Sequence, residues 1–415
     1  VLGSTGMDTT AVLLATALAS CLGTLCMAFM ANLPFALSAG MGLNAFMAYT
    51  VVAGCGYSWQ VALLAVFIEG LIFIVLSLTN IREAIFNAIP LTLKKGVSVG
   101  IGLFIAFIGL QNSGLCVDSA TLVGIISFPE NFHTAGICAL LTLIGLFFTA
   151  VFYTRKMKGA ILYGILLTWI LGMLCQVTGL YVPTPDAGFY SLFPSWGMTD
   201  FSKLGLTFGQ CFNVDFSAVG IVNFIVVIFS FLFVDIFDTL GTLIGVATKA
   251  KMLDKDGKLP GIKPALLADS IATSAGAILG TSTTTTFVES ASGVAVGGRT
   301  GLTALVTGIL FLVSTLFAPI FTAIPSFATA PALIMVGFLM VGTVTEINFD
   351  LDNLTESIPA YLAIIAMPLF YSISEGISMG VISYVLLNVA AGKGKKIAPL
   401  MYVLAVLFVL KYIFL

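Results

Sequence analysis

The sequence predicts an all-α polytopic membrane protein, built as an internal inverted repeat, with two short strands buried at membrane depth. Three observations carry that reading. The 415 residues are 59% hydrophobic and only 9% charged, with a mean hydropathy of +1.12, whereas soluble domains run near 25% charged. Apolar runs long enough to cross a bilayer recur along the whole chain. Two shorter runs, each behind a polar, Gly-containing stretch, occupy matching slots in the two halves. Paired, interrupted segments of that kind point to a transporter's binding site.

Apolar spans fall near 10–31, 44–56, 60–78, 96–112, 133–153, 159–180, 217–247, 263–279, 288–297, 301–322, 328–345, 357–373, 376–391 and 397–415. A crossing helix needs about 20 apolar residues, so 44–56 and 288–297 are too short. Local matches relate the halves. "AIP" occurs at 88–90 and 323–325, and "EGLIFIVLS" (69–77) resembles "TGILFLVST" (307–315). At the second spacing Gly42 falls on Gly280 and Asn44 on Ser282, which puts the two short segments in one slot. The last span, 397–415, has no partner in the first half.

Basic residues collect in 82–95, 155–158, 249–263 and 393–396, which the positive-inside rule places in the cytoplasm. The loops 113–132 and 181–216 are then external. The acidic loop 346–356 falls inside, which the rule tolerates because acids contribute little to it. An odd number of spans separates equivalent segments, so the repeat is inverted.

Several function classes drop out. A net charge of −2 offers no basic field for nucleic acid. The seven cysteines are scattered, mostly inside apolar runs, and read as small buried hydrophobes rather than disulfides or metal ligands. A lone His133, read as a loop-end residue, has no second histidine to share a metal with. "GVAVGGRTG" (293–301) lacks the GKS/T of a phosphate loop, and no nucleophile triad or GxGD protease signature is present. No enzyme, cofactor or metal site is expected.

The chemistry is carried by membrane carboxylates. Glu69 lies mid-span, Asp235 and Asp238 lie in one span, Asp269 opens the next, and Glu289 follows the threonine run. A carboxylate at the bilayer centre costs about 2.5–3.5 kcal/mol on insertion scales. The i, i+3 spacing places Asp235 and Asp238 on one helix face, pointing together into a polar cavity. Such acids hold a proton near neutral pH and accept hydrogen bonds from a planar heterocycle. Glu69 matches Thr307 in the other half and reads at least as well as packing.

"TSTTTTF" (281–287) is β-branched and polar and suits an extended strand. "VESASGVAVGG" then suits a short, closely packed helix. The first-half segment "SAGMGLNAFMAYTVV" (38–52) has the same shape. Extended backbone at membrane depth needs protein partners, so the two strands are expected to pair antiparallel. Their half-helices would then direct N–H groups at one cavity. Glu289 and Asn44 sit at that junction. Phe46 is placed to stack on an aromatic ligand, although packing is the commoner use of such a ring.

"ANLPFALSAGMGLNAFMAYTVV" (31–52), "FVDIFDTLGTLIG" (233–245) and "GTSTTTTFVESASGVAVGGRTGLTALVTG" (280–308) closely resemble the AzgA-like hypoxanthine/guanine/adenine permeases, within the group that includes uracil and xanthine permeases. The resemblance runs over nearly the whole chain. It implies a seven-plus-seven transmembrane inverted repeat, with a core domain (1–80 and 217–323) moving against a gate domain (81–216 and 324–415). It implies import of purine nucleobases by proton symport in the plasma membrane, with a homodimer as a further expectation. Asp235, Asp238, Glu289, Asn44 and Gly42 match the motif positions that bind the purine or couple protons. Phe46, Thr286 and Ser290 complete the expected binding set, and Asp238, Asp235 and Glu289 the proton-coupling set. The family's helix ahead of "GMD" has no counterpart here, so the first helix is expected to be missing. The rival readings are a uracil- or xanthine-preferring permease, and an anion transporter or channel on the same scaffold.

Overall fold

The computed structural model describes residues 1–414 except 121, 186–187, 195–196, 215–219, 322 and 350–352. Parts of the expected span 217–247 and of the loops 113–132, 181–216 and 346–356 therefore lie outside the described residues. Among the described residues, nine helices are long and apolar enough to cross a membrane. In chain order the elements are α1 (Thr9–Cys26), β1 (Leu37–Ala39), α2 (Met41–Ala45), α3 (Trp59–Leu78), α4 (Ile81–Ala88), α5 (Leu91–Asn112), β2 (Cys116–Ser119), β3 (Leu122–Ile125), α6 (Phe128–Asn131), α7 (Ile137–Thr154) and α8 (Ala160–Val177). They continue with α9 (Ile221–Lys249), α10 (Ile262–Leu279), β4 (Thr284–Thr286), α11 (Ser290–Ala295), α12 (Gly301–Leu316), α13 (Ala318–Phe321), α14 (Ser326–Val341), α15 (Leu354–Leu369), α16 (Ile373–Ala390) and α17 (Pro399–Phe414). The chain divides into two compact units, 1–101 with 199–316 and 343–415, and 102–198 with 317–342. These follow packing density and cut the chain at different places from the four functional segments expected above.

In the larger unit α1 packs on α10 and α12, and α3 packs on α10 and α9. Small residues let the backbones approach, as membrane helices require in place of a hydrophobic drive. A Cβ at Gly70 of α3 would stand 2.8 Å from the backbone N of Ser274 in α10. Asp8 caps α1, accepting from the N–H groups of Thr10 and Ala11 at 2.9 Å each.

β1 and β4 pair antiparallel, Leu37 with Thr286, Ser38 with Thr285 and Ala39 with Thr284. A lone two-stranded ribbon would leave both outer edges unsatisfied. Side chains of flanking helices close them. Leu37 N–H donates to Thr24 Oγ1 at 2.9 Å on one edge. On the other, Thr286 N–H donates to Asp269 Oδ1 at 2.9 Å, and Thr273 Oγ1 donates to Thr284 O at 3.0 Å. Ser290 Oγ accepts from Ala36 N–H at 2.9 Å and so ties α11 to the start of β1.

The order helix, strand, short helix, helix occurs twice, as α1, β1, α2, α3 and as α10, β4, α11, α12. Antiparallel pairing is what an inverted repeat requires of two equivalent strands. Two sequence expectations are corrected at this point. The first-half strand is Leu37–Ala39, and "GMGLN" begins the short helix instead, which widens into π-type turns over Phe46–Gly54. Gly280, matched to Gly42 by spacing, caps the end of α10, and Ser282 precedes the strand. The repeat spacing therefore shifts between the long helices and the strand.

Two of the cations counted in 82–95 are not loop charges. Arg82 lies in α4 and is fully buried, and Lys94 is buried in α5, donating to Gly257 O at 2.6 Å over the Phe86 ring. The last span, unplaced by sequence, packs as α17 on α16 and α4. Phe408 is fully buried, its ring 5.3 Å from that of Phe233 and 4.4 Å from that of Phe237. Lys411 pairs with Glu375 of α16.

The smaller unit is built on α7, α8 and α14. Thr168 closes on Gly145, and Thr149 on Gly164, each across the α7–α8 contact. Trp169 Nε1 donates to Leu192 O at 2.9 Å. The hairpin β2–β3, within the loop 113–132, was not legible in the sequence. His133 is exposed beside Leu180 O, 3.1 Å from Nδ1.

Candidate binding site at the strand crossing

The crossing of β1 and β4 gathers the sequence-predicted residues but sorts them into two environments. Asp238 and Glu289 are half-buried, Asn44 is half-buried and Gly42 is exposed. A Cβ at Gly40, the residue that opens α2, would stand 3.8 Å from Asp238 Oδ2 and 3.8 Å from Thr285 Cγ2. Those are ordinary van der Waals distances, whereas a Cβ at the exposed Gly42 would meet nothing within 4 Å among the described residues. Glu289 is the residue that caps the start of α11. Neither carboxyl accepts a side-chain hydrogen bond from the described residues. Asn44 is held by Ser282 Oγ, which donates to its Oδ1, while its Nδ2 donates to Ala39 O at 3.4 Å. The residue that repeat spacing set opposite Asn44 is thus its hydrogen-bond partner.

Asp235 lies elsewhere. It is fully buried, and among the described residues only Thr239 Oγ1 donates to its Oδ1, at 3.0 Å. The i, i+3 spacing predicts a shared cavity, yet only Asp238 opens onto the crossing. Asp235 belongs to a closed cluster with Glu69, Asp269 and Arg82, all fully buried. Arg82 Nη2 pairs with Asp269 Oδ2 at 2.9 Å. Asp269 thus sits within α10, not at its start, and its other oxygen holds β4 through Thr286.

Three further residues of the expected set are committed to structure. Thr286 is buried and bound to Asp269. Ser290 is buried and bound to Ala36. Phe46 packs edge-on against Phe231, with ring centres 4.9 Å apart, in an apolar cluster of α3 and α9. Sequence reasoning undervalued Glu69 and did not single out Arg82 or Thr239. Arg82 carried a signal, since it is a cation directly beside an apolar span. The open part of the site is left with two carboxylates, one amide and glycine backbone. That set accepts hydrogen bonds from N–H groups of a flat, uncharged or cationic ligand, and among the described residues it includes no cation for an anion.

The Xan_ur_permease model, described as a permease family, matches residues 1–391. The guanine/hypoxanthine permease PbuG of Bacillus subtilis is 47% identical over 410 residues, covering 99% of this chain and 88% of the relative. The adenine permease AdeP of Escherichia coli is 39% identical over 418 residues, covering 100% and 88%. Among solved structures, the transmembrane domain of the cyanobacterial bicarbonate transporter BicA matches with a TM-score of 0.53 at 15% identity. That match covers 92% of this chain and 95% of that one, and shows a shared fold.

Proposed function

The chain belongs to this permease family and is a multi-pass protein of the plasma membrane, and we propose that it imports purine nucleobases by proton symport, with hypoxanthine, guanine and adenine as the candidate substrates. Relatives named as guanine/hypoxanthine and adenine permeases support the substrate class. The observation that carries the reading is the pair of half-buried carboxylates, Asp238 and Glu289, at the strand crossing, with the exposed Gly42 in the short helix that follows β1. A purine presents ring N–H groups that such acceptors satisfy, and a site built for them rejects a ligand lacking the donors. Asn44 supplies an amide at the same junction. The helices on either side of the crossing are the moving core (1–80 and 217–323), and 81–216 with 324–415 form the gate for alternating access.

An anion carrier on the same scaffold would need cations at the crossing, where the structure has acids. Uptake of labelled hypoxanthine tests the proposal, in cells lacking their own purine permeases. Glu289→Gln and Asp238→Asn are each expected to cut uptake by at least about tenfold, the loss of one charged hydrogen bond. Wild-type rates in both variants would sink the role assignment. Competition by guanine and adenine but not uracil would support the purine class, and a stronger effect of uracil would overturn it.

A further inference from the structure

Behind β4, away from the open site, two buried carboxyl groups face one another. Glu69 of α3 and Asp235 of α9 are both 0% exposed and lie within side-chain reach of one another. Each has one oxygen, Glu69 Oε1 and Asp235 Oδ2, with no hydrogen-bond partner among the described residues. Their remaining oxygens take a hydroxyl each: Thr283 Oγ1 donates to Glu69 Oε2 at 3.3 Å, and Thr239 Oγ1 to Asp235 Oδ1 at 3.0 Å. Among the described residues one cation serves the cluster, the guanidinium of Arg82 from α4, and it is engaged by Asp269 of α10. Asp238, a further acid, lies one turn along α9.

Three buried acids and one guanidinium cannot all be ionised in a medium this poorly solvated. A proton between Glu69 and Asp235 removes one charge and gives an orphaned oxygen its donor, the arrangement of two carboxyls that titrate as a pair.

We infer that Glu69 and Asp235 share one proton and form the site that carries the coupled proton, behind the strand and separate from the purine site. This rests on the symport reading above. Loading forms one O–H bond at a carboxylate oxygen and cancels one negative charge. Unloading breaks that bond and returns the proton to cytoplasmic water. The link to the purine site runs through Thr239, whose single hydroxyl proton has several acceptors in reach. They are Asp235 Oδ1 at 3.0 Å, Thr285 Oγ1 at 3.0 Å, and the Asp269 oxygens at 3.3 and 3.4 Å. When Asp235 is ionised it holds that proton. When Asp235 is protonated, the hydroxyl turns to Thr285, on the strand that leads to Glu289. Thr239 is thus a two-position element biased by the dyad, the physical requirement for coupling between sites.

The test uses the full chain in proteoliposomes, with hypoxanthine as the probe. Glu69→Gln is expected to lower proton-driven accumulation by at least about tenfold and to abolish hypoxanthine-linked proton entry. Hypoxanthine counterflow, which needs no net proton movement, stays within about threefold of wild type. A packing role for Glu69 would lower both together, and so would overturn the inference. Wild-type proton entry in Glu69→Gln would overturn it too. Hypoxanthine uptake without protons in the unmutated chain would overturn the symport reading itself, a result told apart because no variant is involved. Should Glu69→Gln not fold, difference infrared spectroscopy of the wild-type chain decides. A protonated-carboxyl band that shifts on isotopic labelling of glutamate supports the shared proton, and its absence overturns it.

Discussion

The backbone N–H of Thr286 donates to Asp269 Oδ1 at 2.9 Å, while Asp269 Oδ2 accepts from Arg82 at 2.9 Å. One buried carboxylate thus joins the strand of the candidate site to a cation two helices away. Among the described residues the strand has no third strand beside it, so this bond substitutes for sheet. The position of Glu289, three residues on, depends on it.

Removing the cation tests that dependence. Arg82→Met leaves Asp269 buried and unpaired, which costs about 3–5 kcal/mol. Thermal melting of purified protein in detergent should show a large fall. The double variant Arg82→Met with Asp269→Asn should recover part of it, because an amide side chain needs no counter-charge. A double variant no more stable than the single one would refute the pairing as the cause.

Phe46 gives the opposite expectation. Its ring packs on Phe231 rather than standing free at the crossing. Phe46→Leu should therefore keep hypoxanthine uptake near wild type, at a cost under about 1.5 kcal/mol in stability. Abolished uptake with unchanged melting would restore the ring to the binding set.

The last helix should be integral to the larger unit. Phe408 fills the space between Phe233 and Phe237, one residue to either side of the "VDI" run that carries Asp235. Phe408→Ala should destabilise by about 3–5 kcal/mol. Deletion of a loosely attached helix would cost far less, so a small shift in melting temperature counts against this packing.

Asp8 supplies a pH dependence outside the membrane. The N–H of Ala11 first, then Lys203 at 3.4 Å and the N–H of Thr10, hold its carboxyl below the usual carboxylate value. A group depressed in the folded state stabilises above its unfolded value, and that contribution disappears as pH falls through the folded one. Asp8→Asn keeps a capping acceptor but removes the charge. The wild type should melt higher than this variant at neutral pH, and the two should converge in acid. A gap that persists in acid would mean the charge is not its source.

Much of this was legible along the chain. The nine long apolar helices among the described residues follow from composition, because lipid admits only segments that satisfy their own backbone. The threonine run declared a strand, since β-branched polar residues have no use on a lipid-facing helix. Its pairing with a first-half strand followed from the duplicated slot, although the strand proved to end at Ala39 rather than run through "GMGLN". The hairpin at Cys116–Ile125 carried no such signal.

By itself, then, the sequence determined the membrane class, the paired interrupted segments and the identity of the acids. Only the tertiary structure decided which acids meet. Asp235 and Asp238 lie about 60° apart around α9, near enough to share a face by periodicity. That angle suffices to put Asp235 under β4 with Glu69 and Asp238 at the open edge beside Gly40. Periodicity specifies the direction of a side chain from its own helix axis. It carries no information about which helix packs on that direction, so Arg82 finding Asp269, 187 residues away, could be read only from the fold.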